Sequence, residues 1–335
     1  MNVLLFMASP GNAKGGMEKH FSELANGLAR CGIDVFCMAA PEHLQRLDAS
    51  ITQLPLHPRS SRNSPKTYFQ IFRILRAHRF NVVHAQGSKA AQIIQRITPL
   101  FRKTAFVATI HNFKNRYPKP QRFDRLIAVS KALAQDIGYS NVSVVYNGLE
   151  AHPTTADAVP ATLPAPSPTW LSVGRLVPAK GFDELIKAFQ YVKGSLLIAG
   201  SGPELNELNQ QIRHLNLDQR VRLLGHIDDI PELMKSTDAV VIASRREGFS
   251  YAFAEALLAN KPVVATDVPI ANEFLPDDYI IPAGASPEEF ARHLNINLES
   301  AYVAQTAARK RARAELTIEA MTQNTITIYR ACLER

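Results

Sequence analysis

Short, continuous apolar runs alternate with amphipathic helical patterns along the chain, and this alternation restricts the fold more than any other feature. Runs without polar alternation are typical of strands that are covered on both faces, as in a parallel sheet. Helical patterns such as Met17–Arg30 and Tyr68–His78 lie between the runs. In the first half, six runs predict strands: Asn2–Ala8, Asp34–Ala40, Asn81–Gln86, Ala105–His111, Arg125–Ser130 and Val142–Tyr146. We therefore predict an α/β fold built on a doubly wound parallel sheet.

The same alternation occurs again after a segment rich in Pro, Ala and Thr, HPTTADAVPATLPAPSP. Five more strands are predicted, with helical patterns between them: Trp170–Val173, Ser195–Ala199, Val221–Leu224, Ala239–Ala243 and Pro262–Thr266. A chain of 335 residues is long enough for two domains. We predict Rossmann-like domains at 1–150 and 169–316, a linker at 151–168, and a C-terminal helix at 317–335 that packs back on the first domain. A ligand is expected in the cleft between the domains.

Charge is divided unequally between the two halves. Residues 1–150 carry 20 basic and 8 acidic side chains, a net charge of +12, whereas residues 151–335 carry 18 and 22, a net charge of −4. Between Arg59 and Lys131 there are 16 basic residues and one acidic residue, Asp124. This excess suits an anionic partner, such as a membrane surface, a phosphorylated acceptor or a nucleic acid. Basic side chains that only maintain solubility are the alternative.

Several classes of protein and site find no support in the sequence. No run of about 18 apolar residues is present that could span a membrane, and the run Val3–Ala8 is too short for a signal peptide. The three cysteines, Cys31, Cys37 and Cys332, lack metal or redox spacing and indicate thiols in a reducing compartment. No cluster of His, Cys and Asp has metal-binding spacing. We expect a cytoplasmic protein that requires no metal.

The first predicted strand ends in a glycine-rich turn, SPGNAKGGMEKH, that leads directly into a helix. Gly15 and Gly16 would let the backbone approach a phosphate or a sugar at the helix N-terminus. The turn matches neither a Walker loop nor GxGxxG, and a glycine-rich turn without a ligand is the alternative. Among the histidines, His111 is the strongest candidate, because it ends a strand and opens a polar loop. His84 lies inside an apolar strand and is interpreted as a hydrogen-bonded core residue.

A second turn bounded by glycines, GRLVPAKG at Gly174–Gly181, follows the strand Trp170–Val173. Arg175 and Lys180 therefore lie at the carboxyl end of a strand, which is where two cations are expected to meet a diphosphate. The guanidinium offers paired donors and the ammonium a point charge. Solvated surface cations are the alternative, and the flanking glycines favour binding.

The most specific pattern is SRREGFSYAFAEALLANKP, in which Glu247 and Glu255 are eight residues apart. Glu247 follows a strand and Glu255 lies one turn inside a helix, so both carboxylates can be directed at one ligand. Adjacent ribose or hexose hydroxyls are paired donors that an ionised carboxylate accepts well. Alternatively, the two glutamates only stabilise a helix N-terminus.

Two more loops end strands at the same predicted edge of the sheet. GSGP contains Gly200 and Gly202 and opens a helix, where it is expected to present backbone amides. Gly225 and His226 end the next strand.

Together these residues resemble the retaining glycosyltransferases of family four, which have the GT-B fold of two Rossmann-like domains facing across a cleft. The resemblance extends over nearly the whole chain. Ser250 departs from it, since the family usually has a glycine there. The resemblance rests on an ordered set of motifs: GGMEKH at Gly15–His20, VS at Val129–Ser130, NG at Asn147–Gly148, VGRLVPAKG at Val173–Gly181, GSGP, GH, and the EGF…E…PVVA series from Glu247 to Ala265.

The resemblance implies transfer of a hexose or N-acetylhexosamine from a nucleotide diphosphate sugar, with a UDP-sugar favoured, to a cell-envelope glycan or glycolipid such as lipopolysaccharide core. The first domain would bind the acceptor and the second the donor. Arg175 and Lys180 would neutralise the donor diphosphate, and Glu255 would bind the ribose. Glu247 would hold the hexose, and His111 would lie beside the transferred sugar. The other residues of the implied donor site are Gly15, Gly16, Gly174, Gly200, Gly202, His226, Gly248, Phe249 and Ser250.

Other functions stay open on the sequence alone. A nucleotide-sugar epimerase on the same fold is the nearest alternative, since a sugar phosphorylase would need a much longer chain and a lysine for pyridoxal phosphate. A nucleic-acid-binding protein that uses the basic half is a second alternative, although no module of that kind is recognisable. If the basic half instead meets a membrane, we expect peripheral attachment to the inner face of the plasma membrane.

Overall fold

The computed structural model describes residues 1–12, 15–56, 63–150 and 167–334. The chain forms two compact units, one of Met1–Glu150 with Glu315–Arg335 and one of Ala151–Ala314. Most of the predicted linker and two arginines of the basic segment, Arg59 and Arg62, lie outside the described residues.

The first unit is built on a seven-stranded parallel sheet with the order β3-β2-β1-β4-β5-β6-β7. The strands are β1 (Asn2–Met7), β2 (Asp34–Ala39), β3 (Thr52–Pro55), β4 (Val82–Gln86), β5 (Ala105–Ile110), β6 (Arg125–Ala128) and β7 (Val142–Val144). The helices are α1 (Gly16–Arg30), α2 (Pro41–Leu44), α3 (Pro65–His78), α4 (Gly87–Ile94) and α5 (Lys131–Ile137), with the C-terminal helix α14 (Ile318–Leu333). Strands β4 and β5 are buried along their whole length, as the continuous apolar runs predict for a sheet covered on both faces.

The C-terminal helix α14 is part of the first unit. Its side chains Met321 and Tyr329 are fully buried in the core that also contains β1 and α1. The chain re-enters this unit at Glu315 and passes close to Gly148, where a Cβ would lie 2.5 Å from the carbonyl oxygen of Thr317. Leu149 and Thr317 form a parallel bridge at the same place. The glycine of the NG motif is therefore required by a close crossing of two backbone segments.

The second unit repeats the topology with six parallel strands in the order β10-β9-β8-β11-β12-β13. The strands are β8 (Thr169–Val173), β9 (Ser195–Ala199), β10 (Val221–Gly225), β11 (Ala239–Ile242), β12 (Val263–Thr266) and β13 (Ile280–Ile281). The helices are α6 (Phe182–Ala188), α7 (Leu205–His214), α8 (Ile230–Lys235), α9 (Tyr251–Leu258), α10 (Ala271–Phe274), α11 (Pro287–Leu294), α12 (Leu298–Ala304) and α13 (Thr306–Glu315). Trp170, Phe182 and Phe189 lie at the centre of its core. The predicted α/β fold class is confirmed in both units.

The differences from the predicted elements have local causes. Strand β3 is not predicted. It is a short edge strand, TQLP, with three exposed residues, and it therefore lacks a continuous apolar run. Helix α6 ends at Ala188, and the two buried apolar residues that follow it, Phe189 and Val192, belong to the core without being helical. Apolar spacing alone does not distinguish such residues from a further helical turn.

Candidate functional site

The carboxyl ends of four neighbouring strands of the second unit, β10, β9, β8 and β11, lead into the loops that the sequence singles out. The strand order reverses between β8 and β11, and ligands of open α/β sheets bind at the carboxyl side of such a switch point. The residues that follow these strands are Gly174, Arg175 and Lys180 after β8, Gly200 and Gly202 after β9, His226 after β10, and Glu247, Gly248, Phe249, Ser250 and Glu255 after β11.

The turn after β8 is shaped by two glycines. A Cβ at Gly174 would lie 3.2 Å from Cε of Lys180, so the lysine stem extends across this glycine. Gly181 has φ +66°, and a Cβ there would lie 2.1 Å from the carbonyl oxygen of Ala243 at the end of β11. Gly174 therefore leaves room for the lysine stem, and Gly181 lets the β8 turn approach the loop after β11. Arg175 is exposed, and its guanidinium has no bonded partner within the described residues.

Lys180 and Glu247 form an ion pair between these two loops, and their side chains are only 24% and 10% exposed. The hydroxyl of Ser244 donates to the same carboxylate oxygen, Oε1, at 2.8 Å. Within the described residues no donor bonds to the second oxygen of Glu247, Oε2. The pair thus holds one cation and one carboxylate at fixed positions, with one carboxylate oxygen left to accept a ligand hydroxyl.

Helix α9 begins directly after this loop. The Ser250 hydroxyl accepts a hydrogen bond from the amide of Phe253 at 3.4 Å and so acts as the N-cap. The serine at this position therefore has a helix-capping role of its own. Phe249 is buried and packs edge-on against Tyr251, with ring centroids 5.2 Å apart. Glu255 lies one turn into α9 and is half-buried.

The loops after β9 and β10 support the β8 turn. A Cβ at Gly200 would lie 1.8 Å from the carbonyl oxygen of Gly174, and one at Gly202 would lie 2.3 Å from that of Leu176. The amide of Gly200 donates to the carbonyl of Gly225 at 2.7 Å. The expectation that GSGP presents free backbone amides is wrong for Gly200, because its amide is already bonded. His226 is exposed and pairs with Asp228 at 3.3 Å.

Arg245, which the sequence does not single out, fixes the loop after β11. Its guanidinium bonds to Asp183 at 2.7 Å, to Glu184 at 2.9 Å and to the carbonyl of Pro178 at 2.6 Å. Burial alone would raise the pKa of the Asp183 carboxyl, but the bond and charge of Arg245 outweigh it and hold that pKa below its usual value. Since Asp183 is 62 positions away along the chain, no local pattern indicated this contact.

A second group of predicted residues lies at the carboxyl ends of β1, β4 and β5 in the first unit. His111 follows β5 and is buried, and its Nε2 lies 3.0 Å from Oε1 of Gln86, the last residue of β4. The ring of His20 packs edge-on against that of His111, with centroids 4.7 Å apart. His84 is fully buried and bonded at both ring nitrogens, to Tyr329 at 2.6 Å and to Thr109 at 2.7 Å. The interpretation of His84 as a bonded core residue is therefore confirmed.

These three histidines are held neutral by burial. Burial lowers the pKa of His20 to about 4 and that of His84 to about 3. The pKa of His111 also lies well below its usual value, because of burial first and of the neighbouring histidines second. The first unit therefore presents an uncharged imidazole at this edge of its sheet. The sequence does not single out Gln86 or His20 as partners of His111, because the three residues lie on β4, on α1 and after β5 and meet only in the fold.

The glycine-rich turn of the first unit lies at the same edge. Gly15 is the N-cap of α1 and Gly16 its first residue, and the carbonyl of Gly15 accepts the amide of Lys19 at 3.1 Å. The carboxylate of Glu18 accepts the Ser9 hydroxyl at 2.5 Å, and its Oε2 lies 3.2 Å from where a Cβ of Gly15 would be. A negative charge in the first helical turn disfavours a phosphate beside these amides and favours ligand hydroxyl groups.

Two family models match the chain, "Glycosyltransferase Family 4" over residues 14–152 and "Glycosyl transferases group 1" over residues 156–315. Among curated proteins, the chain is 25% identical over 274 residues to the lipopolysaccharide core biosynthesis glycosyltransferase LpsE of Rhizobium meliloti, covering 75% of this chain and 76% of LpsE. It is 26% identical to LpsD of the same organism over 264 residues, covering 76% of this chain and 75% of LpsD.

Solved structures show the same fold at low sequence identity. A glycosyltransferase from Rickettsia africae superposes with a TM-score of 0.85 at 19% identity, and the match covers 100% of this chain and 99% of that one. HepE from Anabaena, solved in complex with UDP, superposes with a TM-score of 0.79 at 21% identity over 99% of this chain and 100% of HepE. The fold of the two units is thus that of the GT-B glycosyltransferases.

Proposed function

Because this chain belongs to the family-four glycosyltransferases and is an enzyme of that class, we propose that it transfers a hexose or N-acetylhexosamine from a UDP-sugar, with retention of anomeric configuration. The proposed acceptor is a cell-envelope glycan or glycolipid, such as lipopolysaccharide core. The names of LpsE and LpsD support this acceptor class. The complexes of HepE with UDP and with UDP-glucose support the choice of donor.

The observation that carries the proposal is the arrangement at the switch point of the second unit. Exposed Arg175 and the paired Lys180 follow β8, whereas Glu247 follows β11, the strand across the switch point. Two cations suit the diphosphate of a donor, and a carboxylate suits sugar hydroxyls. A diphosphate that bonds to Lys180 would compete with Glu247 for the ammonium group. Binding of the donor would then release Glu247 to accept hydroxyl groups of the hexose.

The chemistry that we propose is mainly electrostatic. The bond between the anomeric carbon of the hexose and the diphosphate breaks, and Arg175 and Lys180 stabilise the charge that develops on the departing diphosphate. An oxygen of this diphosphate takes the proton of the acceptor hydroxyl as that hydroxyl bonds to the anomeric carbon. Glu255 binds the ribose, while Glu247 with the backbone of Gly248 and Phe249 holds the hexose. We assign this stabilisation to side chains and not to a metal ion. No second carboxylate is assigned as a nucleophile, unlike in a retaining glycosidase, so the incoming hydroxyl attacks on the face from which the diphosphate departs.

We further propose that the basic first unit docks on an anionic membrane surface that carries the acceptor. On α3 the side chains Lys66, Phe69, Arg73 and Arg76 recur at helical spacing and are all exposed, with Phe69 64% exposed. Leu100, 66% exposed, precedes Arg102 and Lys103 on a neighbouring segment. The two segments are adjacent because Phe72 and Phe101 are in contact, with centroids 5.5 Å apart. We call the exposed residues of the two segments the α3 surface: Lys66, Phe69, Arg73, Arg76, Leu100, Arg102 and Lys103.

The α3 surface combines apolar side chains with cations, which suits the interface of an anionic bilayer. No helix within the described parts of the chain is long and apolar enough to cross a membrane. From the charge and the exposed apolar side chains of the α3 surface, we propose reversible attachment to the cytoplasmic face of the membrane.

A transfer assay tests the proposed function. The protein is incubated with UDP-glucose, UDP-galactose or UDP-N-acetylglucosamine and a truncated lipopolysaccharide, with and without EDTA. We expect an acceptor whose mass increases by one sugar, an α-linkage by NMR, and no effect of EDTA. An epimerase would instead convert one UDP-sugar into its epimer and leave the acceptor unchanged. A β-linked product would contradict retention.

A further inference from the structure

A buried chain of hydrogen bonds connects the C-terminal helix to His111 in the first unit. The Tyr329 hydroxyl of α14 bonds to Nδ1 of His84, and Nε2 of His84 lies 3.4 Å from Nε2 of the Gln86 amide. The other end of that amide, Oε1, lies 3.0 Å from Nε2 of His111. All four residues are buried, and Gln86 is only 1% exposed. Gln86 is therefore held between two buried imidazoles.

The chemistry of the amide determines which nitrogen of His111 carries a proton. An amide oxygen only accepts hydrogen bonds, so Nε2 of His111 must donate to it. A neutral imidazole has one N–H group, and the other nitrogen, Nδ1, then has only a lone pair. If Gln86 were replaced by an apolar residue, both tautomers of His111 would become accessible.

We propose that Gln86 is a positioning residue that fixes His111 as the Nε2–H tautomer and so presents Nδ1 as an acceptor for a sugar hydroxyl. The part that concerns the sugar rests on the proposed function, whereas the tautomer does not depend on it. His84, bonded to Thr109 and Tyr329, holds the amide end of Gln86 in place. His20 packs edge-on against the His111 ring and limits its rotation.

The tautomer can be measured directly by NMR on full-length protein labelled with ¹⁵N-histidine, with His111 assigned from a His111→Gln variant. We expect the wild type to show Nε2 protonated and Nδ1 unprotonated. Gln86→Met, which conserves volume but has no amide, is expected to give a mixture. Gln86→Glu keeps an oxygen acceptor and should restore protonation at Nε2. The titratable groups that face His111 among the described residues are His20 and His84.

The matched control is Gln53→Met, the same change on the exposed edge strand β3, which should leave the His111 spectrum unchanged. If the wild type shows Nδ1 protonated, or if Gln86→Met keeps one pure Nε2–H tautomer, the proposal is wrong. Thermal unfolding of each variant shows whether the first unit is still folded. If Gln86→Met does not fold, the Gln86→Glu spectrum tests the bond between residue 86 and Nε2 of His111.

Kinetics separate positioning from structure. With the transfer assay, Gln86→Met should lower kcat by about 10-fold to 100-fold through misorientation of His111, with little change in KM for the donor. Gln86→Glu should recover part of kcat. If Gln86→Met shows a mixture of tautomers but an unchanged kcat, Nδ1 of His111 does not accept a sugar hydroxyl, whereas the assignment of the tautomer to Gln86 still holds. Absence of transfer in the wild type would contradict the proposed function alone, because the NMR result stands without it.

Discussion

Arg175 and Lys180 carry the same formal charge, yet their surroundings differ. Arg175 is exposed, whereas Lys180 is tied to Glu247 and lies across Gly174. A substitution at Arg175 therefore removes a charge and little packing. A substitution at Lys180 also leaves a largely buried carboxylate without its partner, which is costly in a folded protein.

We predict that Arg175→Ala and Lys180→Ala each lower turnover by about 10² or more, because each removes a donor aimed at the leaving diphosphate. Only Lys180→Ala should also lower the free energy of unfolding, by about 1–3 kcal/mol, since Glu247 loses a charged hydrogen bond. Steady-state rates and urea unfolding measure the two effects. Lys187→Ala, at an exposed lysine of α6, is the control and should change neither. If Arg175→Ala or Lys180→Ala turns over at the wild-type rate, the replaced residue does not stabilise the leaving diphosphate.

The two glutamates are predicted to act on different parts of the donor. Glu255→Gln should weaken the binding of free UDP, because its carboxylate is assigned to the ribose. Glu247→Gln should leave UDP affinity unchanged or raise it, since Lys180 is then released from its ion pair, while sugar transfer falls. Calorimetry measures the affinity of each variant for UDP, and the transfer assay measures its rate of sugar transfer. Equal losses of UDP affinity in both variants would contradict this division.

At the scale of helices and strands, both sheets follow from buried apolar runs, and most strand limits were predicted to within one or two residues. For Ser195–Ala199 the predicted and the observed limits coincide. Strand β3 was not, because an edge strand with exposed residues lacks an apolar signature. In the site, the local glycine turns were visible in the sequence. Contacts between distant segments, such as Arg245 with Asp183 or Gln86 with His111, depend on the sheet order, which one-dimensional patterns do not contain.

The buried histidines His20, His84 and His111 predict that the protein loses stability in mild acid. Their folded pKa values lie below the unfolded value of about 6.5, so the unfolded chain binds more protons once the pH falls below that value. Unfolding then becomes easier by up to about 1.4 kcal/mol per pH unit for each histidine, down to its folded pKa.

Urea unfolding at pH 7.5 and pH 5.5, followed for wild type and for His20→Gln, measures this effect. The wild type should lose more stability than His20→Gln between the two values, because the variant has one titrating group fewer. Equal losses would show that His20 is not held neutral in the folded protein.

At the scale of the whole chain, the net charge of +12 in residues 1–150 and of −4 in residues 151–335 separates the two proposed partners. The basic half suits an anionic membrane, whereas the proposed donor site lies in the acidic half. Each Lys or Arg near an anionic surface contributes about 1 kcal/mol, and the attraction weakens with salt because the Debye length falls from about 10 Å at 0.1 M to about 3 Å at 1 M.

Sedimentation with vesicles of phosphatidylglycerol and phosphatidylcholine should therefore show binding at low salt that is lost at high salt. Reversal of Arg73, Arg76 and Arg79 to Glu should abolish this binding without changing UDP affinity. The control reverses three exposed arginines of the second unit, Arg213, Arg222 and Arg292, and should preserve vesicle binding. A wild type that ignores anionic vesicles at low salt would contradict the membrane proposal and favour a soluble acceptor.

The proposed function requires that the second unit binds a nucleotide-sugar through Arg175, Lys180, Glu247 and Glu255. Thermal unfolding in the presence of a panel of nucleotide-sugars and free nucleoside diphosphates tests it most directly. A donor at 100 times its Kd should stabilise the folded protein by about 2.7 kcal/mol. We predict such a shift for UDP and at least one UDP-sugar, and its loss in Arg175→Ala but not in Lys187→Ala. If no nucleoside diphosphate or nucleotide-sugar raises Tm, or if the shift survives in Arg175→Ala, the proposed donor site is contradicted.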